Sequence, residues 1–339
     1  MSNTPKRVLL LSLSGIGNFL MQSPIWQTLK KNHPDWEITT WVAPRGTKQL
    51  AEIDPGIDCI IEAPIKNSIF GHLNTLKYLR RHHFDIGIVL SPGQLIKSAA
   101  YLFLAGIPRR IGHAYPLFNN PHSKLFLTDT IDENDSLHDI EQNLRLLTLV
   151  APGLKRRGFY RLPAPKKTPY NVISTNRRLV GFHPGSAPPF LWKRWPAANF
   201  AAVGQSLINN HNAHILIFGG PDEAKLQKEL KTRLGQHSTV ISTSLLATAA
   251  LMRRCRLVLS NDSGLMHLAA ASGVPTFGLF GPTDEKHTGP RGPKSYVIRA
   301  PSTKPVYDTE KNYYLGPRPH PTITAITPEQ VLDKILRVV

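Results

Sequence analysis

The chain has 339 residues, 41% of them apolar, and carries 41 Lys and Arg against 23 Asp and Glu, a formal charge of +18. That length admits two domains, and the apolar share suits folded cores rather than a disordered chain. Cys59 and Cys255 are the only cysteines and lie far apart; two thiols give no disulfide framework and no zinc pattern, and no run reaches the ~20 apolar residues of a membrane helix.

In chain order, Arg7–Leu13 reads as a first strand and Ser14–Phe19 as a Gly-containing turn. The apolar run Val8–Leu13 is too short for the core and cleavage site of a signal peptide. An amphipathic helix covers Leu20–Asn32, starting around Pro24, and a strand covers Glu37–Val42. Cys59–Ile61 is a short third strand. Leu73–His82 is a helix whose basic last turn suits the helix dipole. Asp85–Leu90 is a strand, Leu95–Ala105 a helix, Ile107–Gly112 a strand and Ile140–Val150 a helix. Strands separated by helices of this length point to a parallel sheet covered on both faces.

Leu162–Arg178 breaks the pattern with three prolines and four basic residues, so it is the expected linker. The alternation then restarts. Strands fall at Leu179–His183, His214–Phe218, Thr239–Ser242, Leu257–Ser260 and Thr276–Phe280; helices fall at Phe200–Asn209, Glu223–Leu234, Ala247–Arg254, Leu265–Ser272 and Pro328–Val338. Four polar loops follow strands or lie close after them: His183–Ala187 (HPGSA), Trp192–Pro196 (WKRWP), Gly219–Glu223 (GGPDE) and Asn261–Gly264 (NDSG). In a parallel sheet such loops crowd one rim, where ligands settle. Gly264 opens a helix, whose free N–H groups and dipole favour an anion. Lys193 and Arg194 add positive charge, and Glu223 is an acid at a strand end, where ribose hydroxyls are held. Together these features suit a nucleotide diphosphate, although neither a G-x-G-x-x-G turn after a strand nor a P-loop is present. Each residue also has an ordinary reading: Lys193 as a solvated cation, Glu223 as a helix cap, His267 as a core histidine, Trp192 and Trp195 as packing residues.

The segments SGIGNFLMQSPIWQTLKKNHPDWEITTWV, RRHHFDIGIVLSPGQLIKSAAYLFLAGIPRRIGH, HPGSA, KRWP, GGPDE, NDSGLMHLAAASGVP and LFGPTDEKHTGP, in that order, resemble glycosyltransferase family 9, the heptosyltransferase-like enzymes of GT-B architecture. The resemblance spans nearly the whole chain. It implies two facing Rossmann-like, doubly wound α/β domains with a cleft between them. The boundaries follow as an acceptor domain over 1–165, a nucleotide-sugar domain over 166–325 and a terminal helix over 326–339 packing back on the first domain. It also implies transfer of a sugar, typically heptose, from an ADP-linked donor to a hydroxyl of lipopolysaccharide core, with inversion, without a metal and without a cofactor. By motif position, Ser186, Ala187 and Lys193 would contact the donor diphosphate, Glu223 the ribose and Thr243 the adenine side. Asp262, Ser263, Gly264 and His267 would meet the phosphates or the sugar. Gly17 and Asn18 would lie at the acceptor, and Arg109 and Arg110 would meet its acidic groups. A reducing cytoplasm is the expected compartment. The scattered basic pairs form no nucleic-acid arm, and any contact with an anionic membrane surface would be peripheral.

One position departs from the family. An acid, thought to take the acceptor's proton, usually follows the glycine of the first turn; here it is Asn18. An amide accepts no proton at neutral pH. His113 and Asp85 are candidate substitutes for the base. The departure also motivates a second reading, a weakly active or non-catalytic nucleotide-sugar-binding protein. A GT-B-like epimerase would need acids placed around the sugar, and no such set is evident. Some family members also carry a cysteine cluster near the C-terminus; Tyr307–Pro321 has none.

Overall fold

The computed structural model describes residues 5–44, 46–63, 69–92, 95–114, 125–155, 158–164, 175–188, 190–307 and 314–338. The chain divides into two compact units, Met1–Tyr160 and Arg161–Val339. Most of the expected linker, residues 165–174, lies outside the described residues.

The first unit is built on a six-stranded sheet, ordered β3-β2-β1-β4-β5-β6, with every pairing parallel. Its strands are β1 Arg7–Ser12, β2 Glu37–Val42, β3 Cys59–Glu62, β4 Ile86–Val89, β5 Arg109–Ala114 and β6 Asp129–Asp132. The central strands are apolar throughout because helices cover both faces of a parallel sheet; Val8, Leu9, Leu10 and Ile88 have no exposed surface. The segment expected as a turn is in fact a helix, Ile16–Gln22, followed after Ser23 by a second, Pro24–Asn32. Pro24 lacks an N–H, which accounts for the interruption. The helix therefore begins immediately after the β1 loop and carries Asn18 in its first turn.

The second unit repeats the plan with the order β12-β11-β10-β7-β8-β9, again parallel throughout. Its strands are β7 Arg178–His183, β8 Ala213–Phe218, β9 Ser238–Ile241, β10 Leu257–Asn261, β11 Thr276–Leu279 and β12 Ser295–Ile298. The helix between β10 and β11, Gly264–Ser272, is almost wholly buried and ends at Gly273, whose φ of 81° is the left-handed cap that glycine adopts without strain. Counted within each unit, both sheets have the order 3-2-1-4-5-6. The strand order reverses between β1 and β4 in the first and between β7 and β10 in the second. At such a switch point the loops leaving adjacent strands diverge and open a crevice at the carboxyl edge.

The helix Pro328–Leu336 packs within the second unit. Its buried residues Val331 and Ile335 belong to the core of the second unit, together with Phe182, Phe200 and Leu257. Its apolar face is thus used within the second unit, against the helix Ala197–His211. Among the described residues, no helix is long and apolar enough to cross a membrane.

Candidate functional site

At the switch point of the second sheet, β7 leads into Pro184-Gly185-Ser186 and β10 into Asp262-Ser263. Asn261, fully buried at the end of β10, ties these loops together. Its side-chain amide donates to the Pro184 carbonyl at 2.7 Å and its oxygen accepts from the Trp195 N–H at 3.1 Å. The Lys193 ammonium donates to Asp262 Oδ2 at 2.6 Å, and the Thr283 hydroxyl donates to the same oxygen at 2.9 Å. One carboxylate therefore holds the WKRWP loop, the end of β10 and the loop after β11. Lys193 also lies 5.2 Å from the ring centre of Phe190 and 5.5 Å from that of Trp192, so its stem is held while two of its N–H donors remain. Trp192 and Trp195 are buried packing residues.

Free main-chain donors begin two residues after Asp262. The N–H groups of Gly264 and Leu265 open the helix without intrahelical acceptors. The Ser263 hydroxyl caps the next turn by accepting from Met266 N at 3.3 Å. The Ser186 hydroxyl donates to the Phe190 carbonyl at 2.7 Å, and Arg194 donates to the Ser186 carbonyl at 2.6 Å. This side chain is therefore occupied in holding its own loop, and Ala187 next to it is exposed. The arrangement joins a cation and helix-start N–H groups at one rim, the elements that stabilise negative charge on an oxyanion or phosphate.

Glu223 fits both of its readings. Its carboxylate accepts from the Gly220 N–H at 2.8 Å, capping the turn after β8, and lies 3.8 Å from His183 Nε2. It also presses on Gly185, where an added Cβ would stand 1.7 Å from Glu223 Oε1. Glycine is required there because any side chain would drive the carboxylate away. Gly185→Ala is expected to cost about 1.5–3 kcal/mol, the worth of a hydrogen bond to a charged group. Denaturant melts against Glu223→Gln, which keeps the shape, check this; equal stability of Gly185→Ala and the native chain would contradict it.

His267 lies on the same helix and is buried. Burial pushes its pKa down to about 4, against a raising influence from Asp262 and a lowering one from Lys193. It is neutral at pH 7 and contributes hydrogen bonding rather than charge. In the first unit, His113 on β5 is likewise pushed down to about 4 by burial, with Nε2 3.0 Å from the Gln142 carbonyl. A base whose pKa is depressed on folding binds protons more readily when unfolded, so stability is lost as pH falls. Both histidines should cost stability between pH 6.5 and 4, on the order of 3 kcal/mol each. Urea midpoints across this range should fall, and less steeply in His267→Gln; a flat profile would refute the burial argument.

Thr243 follows β9 on the same carboxyl edge, half-buried, with its hydroxyl unpartnered. Asn18, beyond the end of β1, is half-buried and its side chain makes no hydrogen bond among the described residues; Gly17 precedes it. At the same end of β1 and β4, neutral groups form a network. Ser12 donates to Gln22, Gln22 donates to the Ser91 carbonyl at 3.0 Å, and Asn143 both donates to that carbonyl and accepts from Ser91 N.

Three expected residues do not join this edge. Arg109 and Arg110 open β5, at the amino edge, roughly 13–17 Å of strand length from its carboxyl end. Arg109 donates to Asp129 and to the Leu149 carbonyl, and Arg110 to the carbonyls of Ile107 and Phe126. Asp85 precedes β4, also at the amino edge, and accepts from Arg7 N at 2.8 Å. His113 is on the correct half of its strand but fully buried. Neither substitute for the base is therefore placed to take a proton from a ligand at Asn18.

Sequence reasoning missed Asn261 as a staple, Arg194 as the holder of Ser186, and Thr283 as the second donor to Asp262. It also missed Arg299, which binds Glu285 and the carbonyls of Gly281 and Thr283 and so holds the loop after β11. Among the described residues, no cluster of three or more His, Cys, Asp or Glu side chains is arranged to hold a metal. A cavity of about 400 Å³ lies at the opposite, amino edge of the second sheet, lined by Arg253, Arg256 and Lys294 among others. Two helices end there, at Met252 and Ser272, so the cations face carbonyl ends; Arg253 donates to the carbonyls of Leu162 and Pro163. It lacks the helix-start donors of the rim.

Residues 73–315 match the model of glycosyltransferase family 9 (heptosyltransferase). The chain is 28% identical to lipooligosaccharide heptosyltransferase 2 of Haemophilus influenzae, over 97% of this chain and 98% of that protein. In structure it resembles an Escherichia coli ADP-heptose lipopolysaccharide heptosyltransferase II, with a TM-score of 0.78 at 23% identity over 98% of each chain. It also resembles a family 9 glycosyl transferase from Veillonella parvula, with a TM-score of 0.82 at 24% identity over 98% of this chain and 97% of that one. These structural likenesses, together with the two parallel six-stranded sheets, identify the fold as GT-B.

Proposed function

The chain belongs to glycosyltransferase family 9, the heptosyltransferases, and from that premise we propose that it moves a heptose from an ADP-linked donor to a hydroxyl of lipopolysaccharide core. The acceptor oxygen forms the new bond to the anomeric carbon as the bond from that carbon to the donor phosphate breaks. ADP leaves with the electron pair, the hydroxyl proton passes to a base, and direct displacement inverts the carbon. The observation that carries this reading is the Lys193–Asp262 pair beside the helix start at Gly264, on the switch-point rim of the second sheet. A departing diphosphate gains negative charge, and a fixed ammonium with oriented N–H groups stabilises it without a metal. Glu223 is the proposed ribose partner and Thr243 the residue beside adenine. Ser186 and Ala187, through the main chain, line the phosphates; Asp262, Ser263 and His267 line the phosphates or sugar.

The reading implies cytoplasmic work on a glycolipid presented at the inner face of the membrane. A thermal-shift panel of nucleoside diphosphates and their sugars tests it. ADP and ADP-heptose at 100 times their Kd should stabilise the protein by about 2.7 kcal/mol, and other nucleotides much less. Chelation by EDTA should leave transfer unchanged. A panel with no shift for any nucleotide would sink the proposal. Asn18 favours one second reading, a donor-binding protein with little turnover; binding of ADP-heptose without transfer to heptose-free core would identify it.

A further inference from the structure

Every large apolar side chain that the first unit leaves exposed, among its described residues, comes from the stretch 70–125: Phe70, Leu73, Tyr78, Phe103, Leu104 and Leu125. Phe70 and Leu125 are 75% and 69% exposed. On the helix Ile69–His82, Phe70, Leu73, Lys77 and Arg81 recur at the spacing of a single helical face. The opposite face, with Leu79 fully buried, packs into the core. The outward face is thus apolar at its start and basic at its end, and Arg80 joins it to the next exposed group by donating to the Leu104 carbonyl at 2.9 Å. Phe103 continues the surface, 5.4 Å from the Phe126 ring, with the Arg110 guanidinium 5.4 Å above its own ring.

The charge on this face is one-sided. The helices Ile69–His82 and Leu95–Leu104 contain no Asp or Glu. Among the described residues, Lys77, Arg80, Arg81, Lys97 and Arg110 have no carboxylate within ion-pair distance. A protein partner would leave these cations needing matched acids; an anionic lipid surface supplies negative charge everywhere and accepts aromatic and aliphatic side chains between its headgroups.

We propose that this face docks on an anionic phospholipid bilayer, with Phe70, Leu73, Phe103 and Leu104 inserted at the headgroup level and Lys77, Arg80, Arg81 and Arg110 over the phosphates. The apolar start of the helix lies at the carboxyl edge of the first sheet, the edge that carries Asn18, and its basic end lies with Phe103, Leu104 and Arg110 at the amino edge, so docking lays this helical flank of the unit along the lipid. The proposal deepens the glycolipid-acceptor reading but is measured apart from it.

Full-length protein should co-sediment with phosphatidylglycerol vesicles, not with phosphatidylcholine vesicles, and lose binding as salt is raised. Each basic residue near an anionic leaflet is worth about five-fold, so Lys77→Gln with Arg81→Gln should weaken binding roughly 25-fold. Phe70→Ser should weaken it at unchanged charge. All three residues are exposed, so thermal unfolding should match the native chain. Equal binding to both lipids, unaltered binding by the variants, or self-association abolished by Phe70→Ser would overturn the proposal. Failure here with ADP stabilisation intact leaves the transferase reading standing; vesicle binding without ADP stabilisation removes the transferase reading and leaves the docking face.

Discussion

Lys193→Ala is expected to lower heptose transfer by about 10²- to 10³-fold, the usual cost of removing one preorganised charge stabiliser. The loss should fall on kcat as well as on ADP binding, because the diphosphate gains charge as the bond breaks. Stability is a competing effect. Lys193 and Asp262 are only 17% and 7% exposed at their side chains, so removing the cation leaves the Asp262 carboxylate with the Thr283 hydroxyl as its remaining side-chain partner among the described residues. Breaking such a pair from one side costs about 3–5 kcal/mol. Asp262→Asn in the same chain removes the uncompensated charge. The double variant should therefore recover most of the melting temperature and none of the rate. If stability and rate recovered together, Lys193 would be a structural cation and the proposed site would lose its main electrostatic element.

Much of this rim was legible because two local signals coincide there. Polar, Gly- and Pro-containing loops follow apolar strands, and a parallel sheet sends all such loops to one edge. The pairings within the rim carry no such signal. Lys193 meets Asp262 across 69 residues, Trp195 meets Asn261 across 66, and Thr283 meets Asp262 across 21. Contacts of that separation leave no periodicity in the chain. The missed strands have a different cause. β6 and β12 are the edge strands of their sheets. β6 reads Asp-Thr-Ile-Asp and β12 is mostly half-exposed, so neither shows the continuous apolar run that marks a strand buried on both faces. In Ser14–Phe19 the two glycines read as a turn, whereas burial of Phe19, Leu20 and Met21 holds a helix there. For the last helix, amphipathic spacing identified an apolar face but not the surface it would meet. Arg109-Arg110 shows the same limit. A basic pair in sequence does not reveal which end of a strand it occupies, and the amino end turned these side chains toward neighbouring carbonyls and Asp129.

Asn18→Asp is expected to raise transfer by about 10²- to 10⁴-fold, the range of general-base assistance. The neutral network at this end of β1 and β4 supplies no base. Ser12, Gln22, Ser91 and Asn143 are neutral and bound to one another, so none can take a proton. His113 is buried, and Asp85 is at the far edge of the sheet. A carboxylate at 18 would sit in the first turn of the helix Ile16–Gln22, where the dipole favours a negative charge by about 0.3–1 kcal/mol. Folding should therefore be unharmed and a change in rate would report chemistry. The same dipole holds the new carboxylate's pKa low, which places the gain toward the lower end of the range. The pH–rate profile separates the alternatives. The variant should acquire an acid limb, its activity falling as the carboxylate is protonated, which the native chain lacks. An unchanged or lower rate, with no new limb, would mean that Asn18 orients the acceptor by hydrogen bonds and that the proton leaves by a route not involving this position.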